Sequence, residues 1–501
     1  MTGRAQLLLV LLLTVAVFAP DPGAVFVWDD SELIARNTFA SDWGNLPRFF
    51  LVDLWHGVEG EYNGGFYRPL MQVEILLDRT LFGQSAAAMQ VHSLAWHLLT
   101  VVLLYTLLRR RFPVGALAGA ALFALHPFQA ETARFIVARN DTMAVAAVLG
   151  CLLVRNPWAS AGLLLAGLFS KESAVLALPL WLAWNRRLPP RSLVLSWGAA
   201  LLFYAVMRTL ADLDPLPLRL GPGLWEAAGH YLGCLVSPVY CNPALSPQAA
   251  RMQPIAIAIA IVLAGALAVK AREAIAFATL AAAPAVLAAV MSEGLGHRYM
   301  MFCLVGVGWA IAAAVEAVGR PWVGWALVPF LALGGRAMLP SWTDTVTLWR
   351  DANMISSSNR SRCGAFKALE VEGGREVEAG LYLRTAFPHE HCCYNGSRFW
   401  LDHEDPKKAV EWGRFALRRG CEPEPNLLAP LALAEAMEGD WEAAVEHAGD
   451  GHDPYGYGPV VLSAAALREG DDSVLLAWQA KGEGDLRAQV ELLLATSNPE
   501  P

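Results

Sequence analysis

The sequence predicts an all-α, polytopic membrane protein, with about eleven transmembrane helices in residues 1–340 and an α-helical domain outside the membrane in residues 341–501. Three observations predict it. Of 501 residues, 55% are hydrophobic and only 17% are charged, against roughly 25% charged in an ordinary soluble domain. The charge is uneven: residues 1–340 hold 23 basic and 19 acidic side chains, whereas residues 341–501 hold 15 and 27. Apolar runs recur throughout the first part and stop at Pro340.

The runs fall at 5–20, 87–108, 114–127, 141–155, 158–170, 173–185, 192–209, 253–270, 274–291, 299–318 and 321–340. Lysine and arginine accumulate in cytoplasmic loops. Arg4, Arg109–Arg111, Arg155, Arg186, Arg187, Arg191, Lys270 and Arg272 all reach one side if the N-terminus is cytoplasmic. That places residues 341–501 on the extracytoplasmic side. The stretch MTGRAQLLLVLLLTVAVFAPDPGA also has the basic start, short apolar core and small residues of a cleaved signal peptide. Two long external segments remain, 28–88 and 210–253, and loops of such length usually carry function. Within the second, LWEAAGHYLGCLVSPVYC mixes apolar and polar residues and reads as an interfacial helix.

After Pro340, amphipathic units begin near Asp405, Asp440 and Asp471, a spacing close to the roughly 34-residue tetratricopeptide period. The same pattern fits a generic stack of helical hairpins. Four of the eight cysteines, Cys363, Cys392, Cys393 and Cys421, lie in this region, where disulfides persist if it is exported. Pairing of Cys392 and Cys393 with Cys363 or Cys421 is expected. The run HEHCC (389–393) resembles a metal cluster, but five consecutive residues cannot all face one ion, so disulfides are the stronger reading.

The sequence has no tract of basic residues interleaved with aromatics, which removes support for nucleic-acid binding. Phosphate-cradling loops, dinucleotide fingerprints, nucleophile-elbow serines and HExxH helices are also missing. The polar residues that stand out cluster at predicted extracytoplasmic span ends. They are Asp29 and Asp30; Arg68; His126 and Glu131; Arg139 and Asp141; Lys171 and Glu172; and Glu293, His297, Arg298 and Tyr299. Ionisable residues there are costly to hold and are functional candidates, although Lys171–Glu172 also fits a helix-end ion pair and the histidines fit interfacial side chains. Acids facing cations across one crevice suit a reaction in which a carboxylate activates a hydroxyl while cations hold a phosphate leaving group.

The order of these motifs is specific: WDD with Ile34 and Asn37, YRPL, ALHP with Glu131 followed by ARND, SKES, HRYM, and then SWTDTVTLWRDAN opening the helical region. Over residues 28–350 this order resembles the transmembrane O-mannosyltransferases that carry tetratricopeptide repeats, a family of the GT-C class of lipid-phosphate-sugar glycosyltransferases. The resemblance implies a GT-C-like membrane domain that moves a mannose-like hexose from a polyprenyl-phosphate donor to a protein or glycan hydroxyl outside the cytoplasm. It implies Asp29 as base and Asp30 as its support, with Arg139, Lys171 and Arg298 on the donor phosphate. Arg68, His126, Glu131, Asp141, Glu172, His297 and Tyr299 would support the substrates. His297 stands where the family more often shows an acid. No cofactor is required by this chemistry, though an acid pair can also hold a divalent cation. The composition points to a bacterial inner membrane. Two other classes compete: a non-catalytic scaffold using the repeat region to bind partners, and a carrier for lipid-linked glycans.

Overall fold

The computed structural model describes residues 3–58, 65–211, 213, 224–236, 271–282, 286, 296–355, 359–372, 376–385, 390–453, 455–480 and 486–497. Among the described residues every regular element is helical. The chain divides into two compact units, Met1–Ser357 and Ser358–Pro501, so the first unit runs past Pro340 to include the SWTDTVTLWRDAN segment.

The first unit begins with α1 (Gly3–Phe18), α2 (Pro69–Phe82), α3 (Ala86–Arg109), α4 (Ala116–Leu125) and α5 (Gln129–Arg134). It continues with α6 (Arg139–Leu153), α7 (Pro157–Ser170), α8 (Ala177–Asn185), α9 (Arg191–Leu210), α10 (Leu224–Val236) and α11 (271–282). It closes with α12 (Met301–Val318), α13 (Trp322–Trp325), α14 (Val328–Met338) and α15 (Thr345–Ile355). Helices suit this composition because a bilayer offers no partner for an exposed backbone N–H or C=O. Their ends are set locally. Ser85 accepts from the Ala88 N–H at the start of α3, Asn156 caps α7 ahead of Pro157, and Gly319 closes α12 with φ +68°.

Among the described residues five stretches are long and apolar enough to cross a membrane: Ala86–Arg109, Ile136–Leu153, Arg191–Leu210, His297–Val318 and Trp322–Trp342. Gly3–Phe18, Ala116–Leu125 and Pro157–Ser170 are apolar but shorter. Among the described residues the expected count of about eleven is not reached by length: the runs at 5–20, 114–127, 158–170 and 173–185 form helices below the ~20 residues of a perpendicular span. The run at 253–270 lies outside the described residues, as do 283–285, 287–291 and most of 210–253. The first long segment is folded rather than looped, with a π-type turn at Ser31–Arg36, 3-10 turns at Phe39–Ser41 and Trp43–Leu51, and then α2, which packs on α7.

The bundle has two chemically distinct ends. Arg110 donates to the Leu152 and Leu153 carbonyls at the end of α6 at 3.5 and 3.1 Å, and Arg111 donates to Trp184 O of α8 at 3.1 Å. Glu316, late in α12, accepts from the Val114 and Gly115 N–H groups at 2.7 and 3.1 Å. Arg186 pairs with Glu273 at 2.7 Å. These arginines share one end. His126, Arg139 and Arg298 sit at the opposite ends of α4, α6 and α12, about 22 Å away along α6.

α4 and α12 are held together by small residues. A Cβ on Gly115 would strike the Ala312 carbonyl, and one on Gly119 the Gly308 carbonyl. Gly115 and Gly119, like Gly308 and Ala312, are four apart, the spacing that lets two membrane helices approach to backbone contact.

In the second unit, helices α16 (Asn359–Glu372), α17 (Glu376–Thr385), α18 (Glu390–Asp402), α19 (Pro406–Arg418), α20 (Pro425–Met437), α21 (Trp441–Ala448), α22 (Tyr457–Arg468), α23 (Ser473–Ala480) and α24 (Leu486–Thr496) form stacked hairpins. α18, α20, α22 and α24 pack each on the next, while α19, α21 and α23 return between them. Asp405, Asp440 and Asp471 each lie just before α19, α21 and α23. Disulfides join Cys363 to Cys392 and Cys393 to Cys421, which removes both cysteines of HEHCC from any metal site. Glu435, fully buried in α20, is neutralised by Arg414 at 2.8 Å and His447 at 2.7 Å.

Gly119→Leu is expected to lower the unfolding temperature of the detergent-purified chain and its folded yield, since overpacking typically costs about 1–3 kcal/mol. Gly162→Leu, at a position with open space around it, serves as the control. Equal melting curves for the two variants would refute backbone contact between α4 and α12.

Candidate functional site

The site is built around Trp28. Its backbone is left-handed, φ +56°, which a bulky side chain adopts only when its surroundings compel it. The surroundings are visible. The indole stacks on Phe135 at 5.3 Å and meets Trp349 edge-on at 5.7 Å, while the backbone N–H donates to Thr345 Oγ1 at 2.8 Å. Phe135 in turn stacks on Trp342 at 6.1 Å. This wall joins the first long segment, the turn before α6 and the segment after Pro340.

The turn at Trp28 sends the two acids to different environments. Asp30 is fully buried, and its Oδ2 and Oδ1 accept the backbone N–H groups of Ile136 and Val137, each at 2.9 Å. Burial pushes the Asp30 carboxyl up to about 8, against the lowering effect of those two hydrogen bonds. Asp29 is half-buried and its carbonyl accepts from the Leu33 N–H at 2.9 Å. Asp29 is thus the acid of the pair that is partly exposed, and Asp30 fastens it to the turn that opens α6.

Beside this wall lies a cluster of alternating charges. Arg298 donates through Nη1 to Glu131 Oε1, through its backbone N–H to Glu131 Oε2 at 3.2 Å, and through Nη2 to the Tyr299 hydroxyl at 3.3 Å. Its guanidinium carbon is 5.4 Å from the Trp28 ring, 5.2 Å from Phe135 and 4.8 Å from Tyr299, within cation–π range of all three. Lys171 Nζ donates to Asp141 Oδ1 at 2.5 Å and lies 4.9 Å from the Tyr299 ring. Arg68 Nη2 donates to Glu172 Oε1 at 3.0 Å. Arg68 Nε, Asp141 Oδ2 and Glu172 Oε2 are buried with no hydrogen-bond partner among the described residues. Buried groups left so are costly, and a polar ligand would satisfy them.

Arg139 stands apart. Its Nε donates to Ser93 at 3.0 Å, Nη1 to Glu74 at 3.2 Å, and Nη2 to the Met89 carbonyl at 2.8 Å, with Asp78 at 2.6 Å from Nη2 and His92 Nδ1 at 3.2 Å from Nη1. A guanidinium so engaged holds α2, α3 and α6 together. Glu74, Asp78 and His92 were not among the residues expected from sequence. The i, i+4 spacing of Glu74 and Asp78 after Pro69, which puts both acids on one helix face, is the signal that could have found them.

His126 Nδ1 accepts from the Phe128 N–H at 3.2 Å, and His126 Nε2 has no partner among the described residues. His297 stacks on Phe128 at 4.8 Å and its Nε2 is 3.3 Å from that of His230. Those two nitrogens and Cys234 Sγ lie within 4.8 Å of one another. Cys234 is disulfide-bonded, so it lacks the thiolate that a metal would take. Glu293 lies outside the described residues.

Next to the charged cluster is an apolar groove of about 630 Å³. It starts at Val175 and Leu176 in the turn after Lys171, follows Leu178 and Leu182 of α8 against Leu193 and Trp197 of α9, and reaches Leu188 and Pro189. The groove therefore runs from the charged cluster toward the arginine-rich end.

Two known proteins are similar to this chain. One, named a protein O-mannosyl-transferase of Caenorhabditis elegans, is 25% identical over 193 residues, 36% of this chain and 28% of that protein. The other, a protein O-mannosyl-transferase of Drosophila melanogaster, is 28% identical over 169 residues, 31% of this chain and 20% of that protein. The aligned part thus spans less than a third of each relative's length. No family model and no solved structure matches the chain.

Asp30→Ala is expected to destabilise the first unit by roughly 1–3 kcal/mol for each backbone N–H left unpaired. Because burial raises the carboxyl from 3.8 to about 8, the folded state binds a proton that the unfolded state has released. Wild-type stability should then fall as pH rises through that window. Asp30→Asn should remove that slope when melting is followed from pH 5 to pH 8; an unchanged slope would show that another group sets it.

Proposed function

We propose that this chain is a membrane glycosyltransferase of the GT-C kind, moving a mannose-like hexose from a polyprenyl-phosphate donor to a hydroxyl of a protein or glycan on the extracytoplasmic side. The observation that carries this reading is the joining of three cations, Arg68, Lys171 and Arg298, to an apolar groove that begins in the turn after Lys171. A phosphate carried on a long apolar chain asks for those two environments in that order. The names of the two relatives support it.

In this reading the donor phosphate lies among Arg68, Lys171 and Arg298, exchanging part of their contacts with Glu172, Asp141 and Glu131 for its own oxygens. Asp29 takes the proton of the acceptor hydroxyl as that oxygen attacks the anomeric carbon. The bond from that carbon to the phosphate oxygen breaks, and its electron pair leaves with the polyprenyl phosphate. One displacement inverts the anomeric centre. The cations stabilise charge that grows on the leaving oxygen, where fixed electrostatics is worth most. Asp30 and Arg139 act as positioning residues, Asp30 through the α6 turn and Arg139 through α2 and α3. Both Asp30 oxygens accept backbone N–H groups, and this reading gives the acceptor hydroxyl, or a divalent ion, to the half-buried Asp29. The hairpin stack of the second unit is read as a tetratricopeptide-like surface for the acceptor or another partner.

Membranes carrying Asp29→Asn should lose transfer of labelled hexose from polyprenyl phosphate while the protein inserts and melts as wild type does. Full activity in that variant would sink the assignment of the base. Arg298→Gln and Lys171→Gln should each lower turnover by about 10²–10³-fold. A chain whose partner binding survives both changes, and which shows no hexose transfer from the start, would be the scaffold instead.

A further inference from the structure

A polar cavity of about 380 Å³, lined in part by Trp342 of the aromatic wall, is not used by the chemistry above. Asp21, Gln90, Arg134, Arg336, Trp342 and Asp344 supply its polar lining, with Gly23, Ala24 and Val25 closing one side. Arg134 is almost fully buried. It gives Nη2 to the Ala19 carbonyl at 3.0 Å and Nη1 to Gln90 Oε1 at 3.3 Å, while Gln90 Nε2 returns a bond to the Arg134 carbonyl at 3.0 Å. These bonds use two of the five N–H groups of the guanidinium. Arg336 faces the same space from an exposed position on α14. Two cations turned to one cavity repel each other, and an anionic group between them would relieve that repulsion further than the largely exposed Asp21 does. Both lie at the bundle end opposite Arg109–Arg111, where arginines are not retained for topology.

The acids of the cavity complete the pattern. Asp21 lies 3.9 Å from Arg134 with its side chain 77% exposed. Asp344 caps α15 by accepting from the Thr347 N–H at 2.8 Å and the Thr347 hydroxyl at 2.7 Å. Two positive and two negative side chains therefore surround one space. The cavity sits at the ends of α1 and α14, which pack on each other and expose Leu8, Leu12 and Val15 on α1 and Phe330 and Leu333 on α14. In a bilayer those residues meet acyl chains, and the level just beyond them is that of the headgroups.

We propose that this cavity binds the headgroup of a zwitterionic glycerophospholipid, its phosphate between Arg134 and Arg336 and its primary ammonium toward Asp21 and Asp344. The lipid lies along α1 and α14 and braces the segment 21–25 that leads into Trp28.

The test uses the full-length chain in a non-ionic detergent and calorimetric titration with dihexanoyl-phosphatidylethanolamine. Dihexanoyl-phosphatidylglycerol, dihexanoylglycerol and inorganic phosphate are run in parallel. Wild type is expected to bind the ethanolamine lipid more tightly than the other three. Arg336→Gln, at an exposed position, and Arg134→Lys, which keeps the charge and loses the planar fork, should each weaken that binding about ten-fold. Asp21→Asn should remove the preference for ethanolamine over glycerol. Equal binding of dihexanoylglycerol, or unchanged binding by both arginine variants, overturns the site. Equal binding of phosphatidylglycerol overturns the zwitterionic headgroup. Equal binding of inorganic phosphate overturns a lipid as the occupant.

Discussion

Ionised side chains at the edge of a low-dielectric bundle persist where an opposite charge or a hydrogen-bond donor meets them. In the first unit Arg298 meets Glu131, Lys171 meets Asp141, Arg68 meets Glu172, and Arg139 meets Glu74 and Asp78. Each pair joins elements that are far apart in sequence. The pairs therefore do two things at once: they let charge exist at this depth, and they fix which helix ends converge. Removing one member of such a pair leaves the other buried and uncompensated, which typically costs about 3–5 kcal/mol.

The pairs fall into two groups by how complete they are. Around Arg139, the guanidinium is met on every side by Ser93, Glu74, His92, Met89 and Asp78, which describes a rivet. Around Lys171 and Arg68, the buried Asp141 Oδ2, Glu172 Oε2 and Arg68 Nε have no hydrogen-bond partner among the described residues, and aromatic faces meet Lys171 and Arg298 where further acceptors would stand. A rivet resists exchange, whereas an incompletely satisfied cluster can trade an internal carboxylate for a ligand oxygen at modest cost. That contrast separates structural cations from candidate ligand-binding ones more clearly than position in the chain does.

Backbone contact sets the frame for both groups. Gly115, Gly119, Gly308 and Ala312 let α4 and α12 approach without intervening side chains, and those two helices carry His126 at the end of one and Arg298 at the start of the other. The left-handed Trp28 performs the matching task in the first long segment. Held between Phe135, Trp349 and Thr345, it turns Asp30 inward to the α6 turn and leaves Asp29 half-buried. Local strain at that residue is offset by the stacking around it.

Much of this was legible in the residues themselves. Apolar runs 87–108, 192–209 and 299–318 became helices Ala86–Arg109, Arg191–Leu210 and Met301–Val318, and Asp405, Asp440 and Asp471 each preceded a helix start, because hydrophobicity and capping act over a few neighbouring positions. Arginine placement marked the ends of spans, and the polar motifs were expected at one of them. The pairing of charges was not readable. Arg298 could have met any of several acids, and the choice of Glu131, 167 positions away, depends on how close α4 and α12 pack. The same holds for Arg139, whose partners Glu74 and Asp78 lie on a helix hidden inside an apparent loop, and for the cysteine pairs left open by their spacing. What the amino-acid order determined was where helices lie and where charge cannot sit alone; which charge answers which was decided by the three-dimensional packing, because Coulomb pairing depends on distance in space and distance in space is not a local property of the chain.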